Sequence, residues 1–161
     1  MSDYHLNVGD QAPDIALPVW PEGTLKLSDL RGQWVIVYFY PKDSTPGCTT
    51  ESCAFRDALP DFSEAKACVV GVSRDSVKSH ARFTEKQSLN FPLIADTEEL
   101  LCRAFDVIQI KKMYGKESLG VERSTFIINP EGEVAHAWRK VRVKEHVANV
   151  LATLNELQAA A

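Results

Sequence analysis

Long apolar runs are missing from this chain: the longest is the seven residues from Trp34 to Tyr40, against the roughly 20 that a membrane-spanning helix needs. The N-terminal stretch Met1-Ser2-Asp3-Tyr4-His5-Leu6 has neither a basic n-region nor an apolar h-region, so no secretory leader is expected and the chain reads as cytoplasmic. Basic stripes are missing too. Lys111-Lys112 and Arg139-Lys140-Val141-Arg142 are short, and the net charge of −4 with a pI near 5.6 argues against nucleic acid or an anionic membrane as a partner. His5, His80, His136 and His146 are scattered, and no Cys-x-x-Cys or His-x-x-x-His spacing offers a zinc site. There is no Gly-x-Ser-x-Gly elbow for a serine hydrolase and no Gly-rich phosphate loop. No metal or cofactor is expected.

What is present is ordinary for a globular protein: 161 residues, 45% hydrophobic and 25% charged. That length supports a core without disulfide staples, and with no repeat or linker the simplest organisation is one domain over 1–161. Four cysteines in a reducing compartment point to redox chemistry or burial rather than to a structural disulfide framework.

Periodicity and turn residues predict the following elements. An N-terminal hairpin pairs Asp14–Pro18 with Thr24–Leu27 around Pro21-Glu22-Gly23. Strand Val35–Tyr40 leads into a helix from about Pro46, and Cys68–Ser73 forms a buried parallel strand. Ser76–Gln87 is helical with Val77, Ala81 and Phe83 or Thr84 on one side, Phe91–Ala95 is a short strand and Thr97–Phe105 a short helix. Arg123–Ile128 and Glu133–Trp138 form a hairpin around Asn129-Pro130-Glu131-Gly132, and a last helix spans about Lys144–Leu157. Strands alternating with helices, then a hairpin and a closing helix, predict a three-layer α/β domain with a mixed sheet.

The chemistry concentrates where strand Val35–Tyr40 hands over to the next helix. Pro41 and Pro46-Gly47 break the strand, and Thr45-Pro46 fits an N-cap followed by proline at the first helical position. Cys48 therefore falls in the first helical turn, among N–H groups without helical partners, where a thiolate is favoured. Gly47 permits a close approach, and the Thr45 hydroxyl is placed to donate to the sulfur or to a bound oxygen. The cation that such a thiolate also needs is expected from Arg123, at the start of an apolar strand.

Pro41-x-x-x-Thr45-x-x-Cys48 resembles the active-site signature of the peroxiredoxins. The longer string Phe39-Tyr40-Pro41-Lys42-x-x-Thr45-Pro46-Gly47-Cys48-Thr49-x-x-x-Cys53-x-x-Arg56-Asp57 is similar to the Q-type subfamily, also called bacterioferritin comigratory protein. Gly9-Asp10-x-Ala12-Pro13-Asp14, Gly71-Val72-Ser73 and Arg123-Ser124-Thr125-Phe126-Ile127-Ile128 extend the likeness over nearly the whole chain. The resemblance implies a thioredoxin-like fold and a thiol peroxidase without a cofactor. Cys48 would be the peroxidatic nucleophile, with Thr45 and Arg123 holding the peroxide oxygens and Pro41 shielding the sulfur. Glu51, one turn on, either orients Arg123 or is an exposed glutamate of the first turn. Cys53 would be the resolving thiol, because an i, i+5 pair occurs at this place in many Q-type proteins. Others resolve through a cysteine in the helix corresponding to Ser76–Gln87, where this chain has none. Thioredoxin or a similar dithiol would be the reductant.

Two cysteines five residues apart on an ideal helix have Cα atoms about 8.6 Å apart, beyond the ~7 Å that a disulfide tolerates. Pairing therefore requires the first turns to unwind. Pro60 is expected to kink or end this helix, leaving it at about Pro46–Leu59 and lowering the cost of that step; alternatively it opens a second helical segment. Cys68 and Cys102 read as core cysteines. Segment Ile108-Gln109-Ile110-Lys111-Lys112-Met113-Tyr114-Gly115 departs from relatives and reads as a loop lining the pocket. The C-terminus, Leu157-Gln158-Ala159-Ala160-Ala161, lacks the Tyr-Phe arm of overoxidation-sensitive peroxiredoxins, and Gly-Gly-Leu-Gly is absent, which suggests a monomer. Two readings compete: a thioredoxin-like thiol–disulfide oxidoreductase, disfavoured by the four residues between Cys48 and Cys53, and a non-catalytic redox-sensing binding protein.

Overall fold

The computed structural model describes residues 4–161; Met1, Ser2 and Asp3, part of the stretch read above for a leader, lie outside it. In chain order the elements are β1 (Leu17–Trp20), β2 (Thr24–Leu25), a 3-10 turn (Leu27–Leu30), β3 (Trp34–Phe39), α1 (Pro46–Glu64), β4 (Ala67–Ser73) and α2 (Val77–Gln87). There follow β5 (Leu93–Ala95), α3 (Leu100–Ala104), β6 (Ile108–Met113), β7 (Lys116–Val121), β8 (Ser124–Ile128), β9 (Val134–Trp138) and α4 (His146–Ala160).

Seven strands form one mixed sheet in the order β2-β1-β5-β4-β3-β8-β9. β3 lies near its centre, parallel to β4 and antiparallel to β8. Alternate side chains of a strand point to opposite faces, and β3 is buried on both. Val35, Val37 and Phe39 pack with Val70, Val72, Leu101, Phe105 and Phe126 on one side. Ile36, Tyr38 and Tyr40 pack with Cys48, Phe55, Phe62, Phe83, Val150 and Leu154 on the other. The sheet is thus covered by α1, α2 and α4 on one face and by α3 with the N-terminal segment on the other. This is the three-layer thioredoxin-like arrangement. Phe55 and Phe62, both fully buried, anchor α1, and such side chains contribute about 1.5–3 kcal/mol each on burial.

The predicted elements largely form, with four differences. The N-terminal hairpin is tighter, β1 with β2, and β1 also closes the sheet against β5. α2 buries His80 and Phe83 rather than Val77 and Ala81, so the buried side of this helix carries a histidine. The segment from Ile108 is no loop: it pairs with Lys116–Val121 as a separate two-stranded ribbon, β6–β7, around Tyr114-Gly115, where both residues have positive φ. Alternation there mixes exposed Ile110 and Leu119 with lysines, a pattern without a clear buried face.

The fourth difference concerns Pro60. α1 neither ends nor restarts there but runs on to Glu64. Proline cannot donate to the carbonyl of Arg56, and the side-chain amide of Asn90, just beyond α2, donates to that oxygen at 3.3 Å. An outside donor lets the helix pass through proline. Asn90→Ala is expected to cost up to about 1 kcal/mol, and less in a Pro60→Ala background, where the restored N–H reaches the same carbonyl. Chemical denaturation of the four proteins of this cycle measures the coupling; equal costs in both backgrounds would rule the substitution of donors out.

Candidate active site

α1 begins as its sequence requires. Thr45 is the N-cap residue with extended φ/ψ of −85° and 154°, and Pro46 takes the first helical position. The first intrahelical bond runs from Thr49 N–H to Thr45 O at 2.8 Å, so the amides of Gly47 and Cys48 precede the ladder and face the helix entrance. Cys48 is 1% exposed on the side of α1 turned to the sheet.

Arg123, immediately ahead of β8, supplies the cation. Its Nη2 lies 3.4 Å from the Cys48 sulfur, and its Nη1 donates to Glu51 Oε1 at 2.8 Å. A Cβ at position 47 would stand 3.1 Å from Nη2, so glycine there leaves the guanidinium its space. Glu51 is fully buried, not exposed, and its Oε2 has no hydrogen-bond partner among the described residues. Burial pushes the Glu51 carboxyl up to about 7, against the pull of Arg123. Burial also opposes the charge on Arg123, but Glu51 and Cys48 outweigh it and hold the guanidinium above its ordinary value. The arginine side chain keeps 17% exposure and the glutamate none, so desolvation falls mainly on the carboxylate.

The other predicted residues are placed as follows. The Thr45 hydroxyl donates to Lys42 O at 2.8 Å, so its hydrogen is committed to the backbone rather than to sulfur. Its lone pairs remain available to an O–H donor. Pro41 is half-buried just past β3 and also borders a polar groove with Arg74, Asp75 and Glu99. Cys53 is half-buried, its thiol donating to Gln87 Oε1 at 3.5 Å and receiving Arg56 Nη1 at 3.6 Å. Arg56 also donates to Gln87 O at 2.6 Å, so Cys53 sits against the C-terminal end of α2. Both cysteines are free thiols on one continuous helix.

Cys102 is fully buried, and burial together with Asp96 drives its thiol far up. Cys68 is half-buried, packed against the core and bordering a cavity of about 270 Å³ with Ser63, Lys66 and Asn90, and desolvation pushes its thiol up to about 11. Sequence reading missed two buried polar pairs near the site. Asp43 meets His80 across 37 positions, and Thr125 Oγ1 lies 2.7 Å from His146 Nε2. Burial, then Arg123, lowers His146 to about 4, so its ring stays neutral. Spacing carries no trace of either pair; the only signal was a histidine on the apolar side of each helix.

This geometry can be compared with known proteins. The AhpC/TSA family matches residues 8–137. The chain belongs to this family. Within it, two curated relatives and a solved structure place the chain among the peroxiredoxins of the bacterioferritin comigratory protein, or Q, type. It is 61% identical over 154 residues to Peroxiredoxin Bcp of Xanthomonas campestris, covering 96% of each chain. It is 50% identical over 152 residues to Peroxiredoxin Bcp of Bacillus subtilis, covering 94% of this chain and 97% of that one. A solved structure of the Xanthomonas campestris bacterioferritin comigratory protein, described for its alkyl peroxide reduction activity, superimposes with a TM-score of 0.87 at 51% identity, covering 96% of this chain and 98% of the other. The peroxiredoxin likeness therefore spans the sheet, α1 and the strand that follows Arg123.

The electrostatics of Glu51 are open to measurement. Its pKa is about 7 in the fold, against 4.5 for an unperturbed carboxyl. The folded state thus holds the extra proton between these values, and the contribution is full below 4.5 and lost as pH rises through 7. The melting temperature of wild type relative to Glu51→Gln is expected to fall from pH 5 to about pH 7 and to level off above it. A constant difference would mean that Glu51 is ionised throughout.

Proposed function

We propose that residues 1–161 act as one peroxiredoxin domain that reduces hydroperoxides through Cys48 and resolves the product with Cys53. The single observation that carries this reading is the chain of three groups at the helix entrance: a buried sulfur, a guanidinium 3.4 Å away, and a buried carboxylate holding that guanidinium from behind. A peroxiredoxin is a thiol peroxidase, and these contacts suit its first step. The Cys48 thiolate attacks the terminal oxygen of ROOH; the S–O bond forms, the O–O bond breaks, and the alkoxide leaves and takes a proton from solvent. Arg123 stabilises the charge growing on the departing oxygen, with the Gly47 and Cys48 amides beside it. The Thr45 oxygen accepts from the peroxide O–H.

In the second step the Cys53 thiol gives up its proton and its sulfur attacks the sulfenic sulfur; the S–S bond forms, the S–O bond breaks, and the departing hydroxide takes up a proton and leaves as water. Residues 48 to 53 must leave the helix for this, and Cys53 must also leave Gln87 and Arg56. A dithiol donor such as thioredoxin then returns both thiols by exchange. We take the peroxiredoxin to act as a cytoplasmic monomer. Its net charge of −4 fits a reading without nucleic acid or an anionic membrane surface as partner.

Intact mass and a non-reducing peptide map after one equivalent of hydrogen peroxide test the sequence of steps. A loss of about 2 Da with a Cys48–Cys53 link is expected. A gain of one oxygen that persists at Cys48 excludes Cys53 as the resolving thiol, and no reaction removes the peroxidase reading and leaves a disulfide reductase or sensor. Arg123→Met is expected to slow Cys48 oxidation by about 10²–10³-fold, the usual cost of one such stabilising donor. A stopped-flow trace within threefold of wild type overturns its role.

A further inference from the structure

The loop that leads from β3 to Cys48 is fastened to the body of the protein at one residue, Asp43. The Asp43 side chain is 3% exposed and its carboxylate meets three side-chain partners. Tyr40 Oη donates to Oδ1 at 2.6 Å, while Ser79 Oγ and His80 Nδ1 meet Oδ2 at 2.8 and 2.7 Å. The Asp43 amide donates to Asp75 Oδ2 at 2.9 Å. The next residue, Ser44, has φ of 64°, a left-handed conformation that costs a serine energy and needs its neighbours to be held. Thr45 and the first turn of α1 follow directly.

His80 is fully buried, and its other nitrogen, Nε2, lies 2.9 Å from the carbonyl oxygen of Ile94 in β5. A carbonyl only accepts, so Nε2 carries a hydrogen. That leaves Nδ1 facing a carboxylate oxygen at 2.7 Å, and two bare lone pairs do not settle at that distance in a buried site. One proton must lie between them. The pair therefore holds one proton more than a neutral imidazole beside an ionised carboxylate. The other groups around it do not supply an alternative. Burial keeps the Tyr40 phenol protonated, Ser79 donates its own hydrogen, and Asp75 is turned to the Asp43 amide and to Ser73 Oγ.

We propose that Asp43 and His80 are positioning residues for peroxide reduction: a proton-sharing pair that pins the Pro41–Thr45 loop to α2 and β5 and so fixes Thr45 and Cys48 relative to Arg123. The proposal rests on Cys48 being the peroxidatic thiol. His80 touches neither peroxide nor sulfur and acts through Asp43. Its expected effect is on the geometry of attack rather than on the supply of thiolate, and misplacing reacting groups by about 1 Å costs up to ~10²-fold.

The test has a spectroscopic arm and a kinetic arm. Nitrogen-15 NMR of the reduced protein at pH 7 is expected to show His80 with hydrogens on both ring nitrogens, or one shared with Asp43. In Asp43→Asn the ring is expected to become neutral with its hydrogen on Nε2. A neutral His80 in the wild type overturns the proposal. In the kinetic arm, His80→Phe and Asp43→Asn are expected to slow oxidation of Cys48 by hydrogen peroxide roughly tenfold, while alkylation of the same thiol by iodoacetamide stays within twofold of wild type. A general structural defect would move both reactions together. If His80→Phe does not fold, Asp43→Asn and the NMR measurement still decide. Wild-type Cys48 inert to peroxide removes the underlying reading; wild-type reaction with unchanged variants removes this one alone.

Discussion

The site depends on one arginine held at two points. Arg123 is placed by its position at the mouth of β8, next to β3 in the sheet, and its guanidinium spans the Cys48 sulfur and the Glu51 carboxylate. A single planar fork is suited to this because its donors are fixed relative to one another, whereas a lysine would offer one point charge on a flexible stem. Glu51 must be buried beside it for the fork to be held, and burying a carboxylate is unfavourable unless a cation is near. Each member is thus conditional on the other. Gly47 completes the arrangement by leaving room where any side chain would press on Nη2.

Much of this was legible in the sequence. The apolar, β-branched run before Pro41 and the Thr45-Pro46 entry located both the strand and the helix start, because those signals are local: burial on both faces, and a proline where no donor is missed. Arg123 was identifiable as the first residue of an apolar strand, whereas for Glu51 helical spacing left two alternatives, a partner of Arg123 or an exposed glutamate. Whether Glu51 was buried was not legible, since that depends on Arg123 arriving from 72 residues away. Thr45 shows the limit of residue-type reasoning: a hydroxyl has several acceptors in reach, and the backbone of Lys42 took it.

What the sequence hid were polar groups whose partners are distant in the chain. Asn90 serves a carbonyl released by a proline on another helix, and His80 joins Asp43 to a strand backbone. Neither residue has an unusual neighbour in sequence. The ribbon β6–β7 was hidden differently. Its side chains alternate without a clear apolar face, since it stands apart from the main sheet and covers little of the core.

α1 has two unequal halves. From Phe55 onward it is tied down on several sides: aromatic rings in the core, Arg56 bound to the last carbonyl of α2, and Asn90 gripping the Arg56 carbonyl from outside. Ahead of Cys53 the ties are the Ser52 hydroxyl against Tyr38 Oη at 2.7 Å and the contacts of Cys48 and Glu51 with Arg123. On the proposed cycle, in which Cys53 reaches Cys48, the turns that must unwind lie ahead of this anchored part. The anchors then mark how far along α1 the opening has to run, and they hold the register of the helix beyond the second thiol.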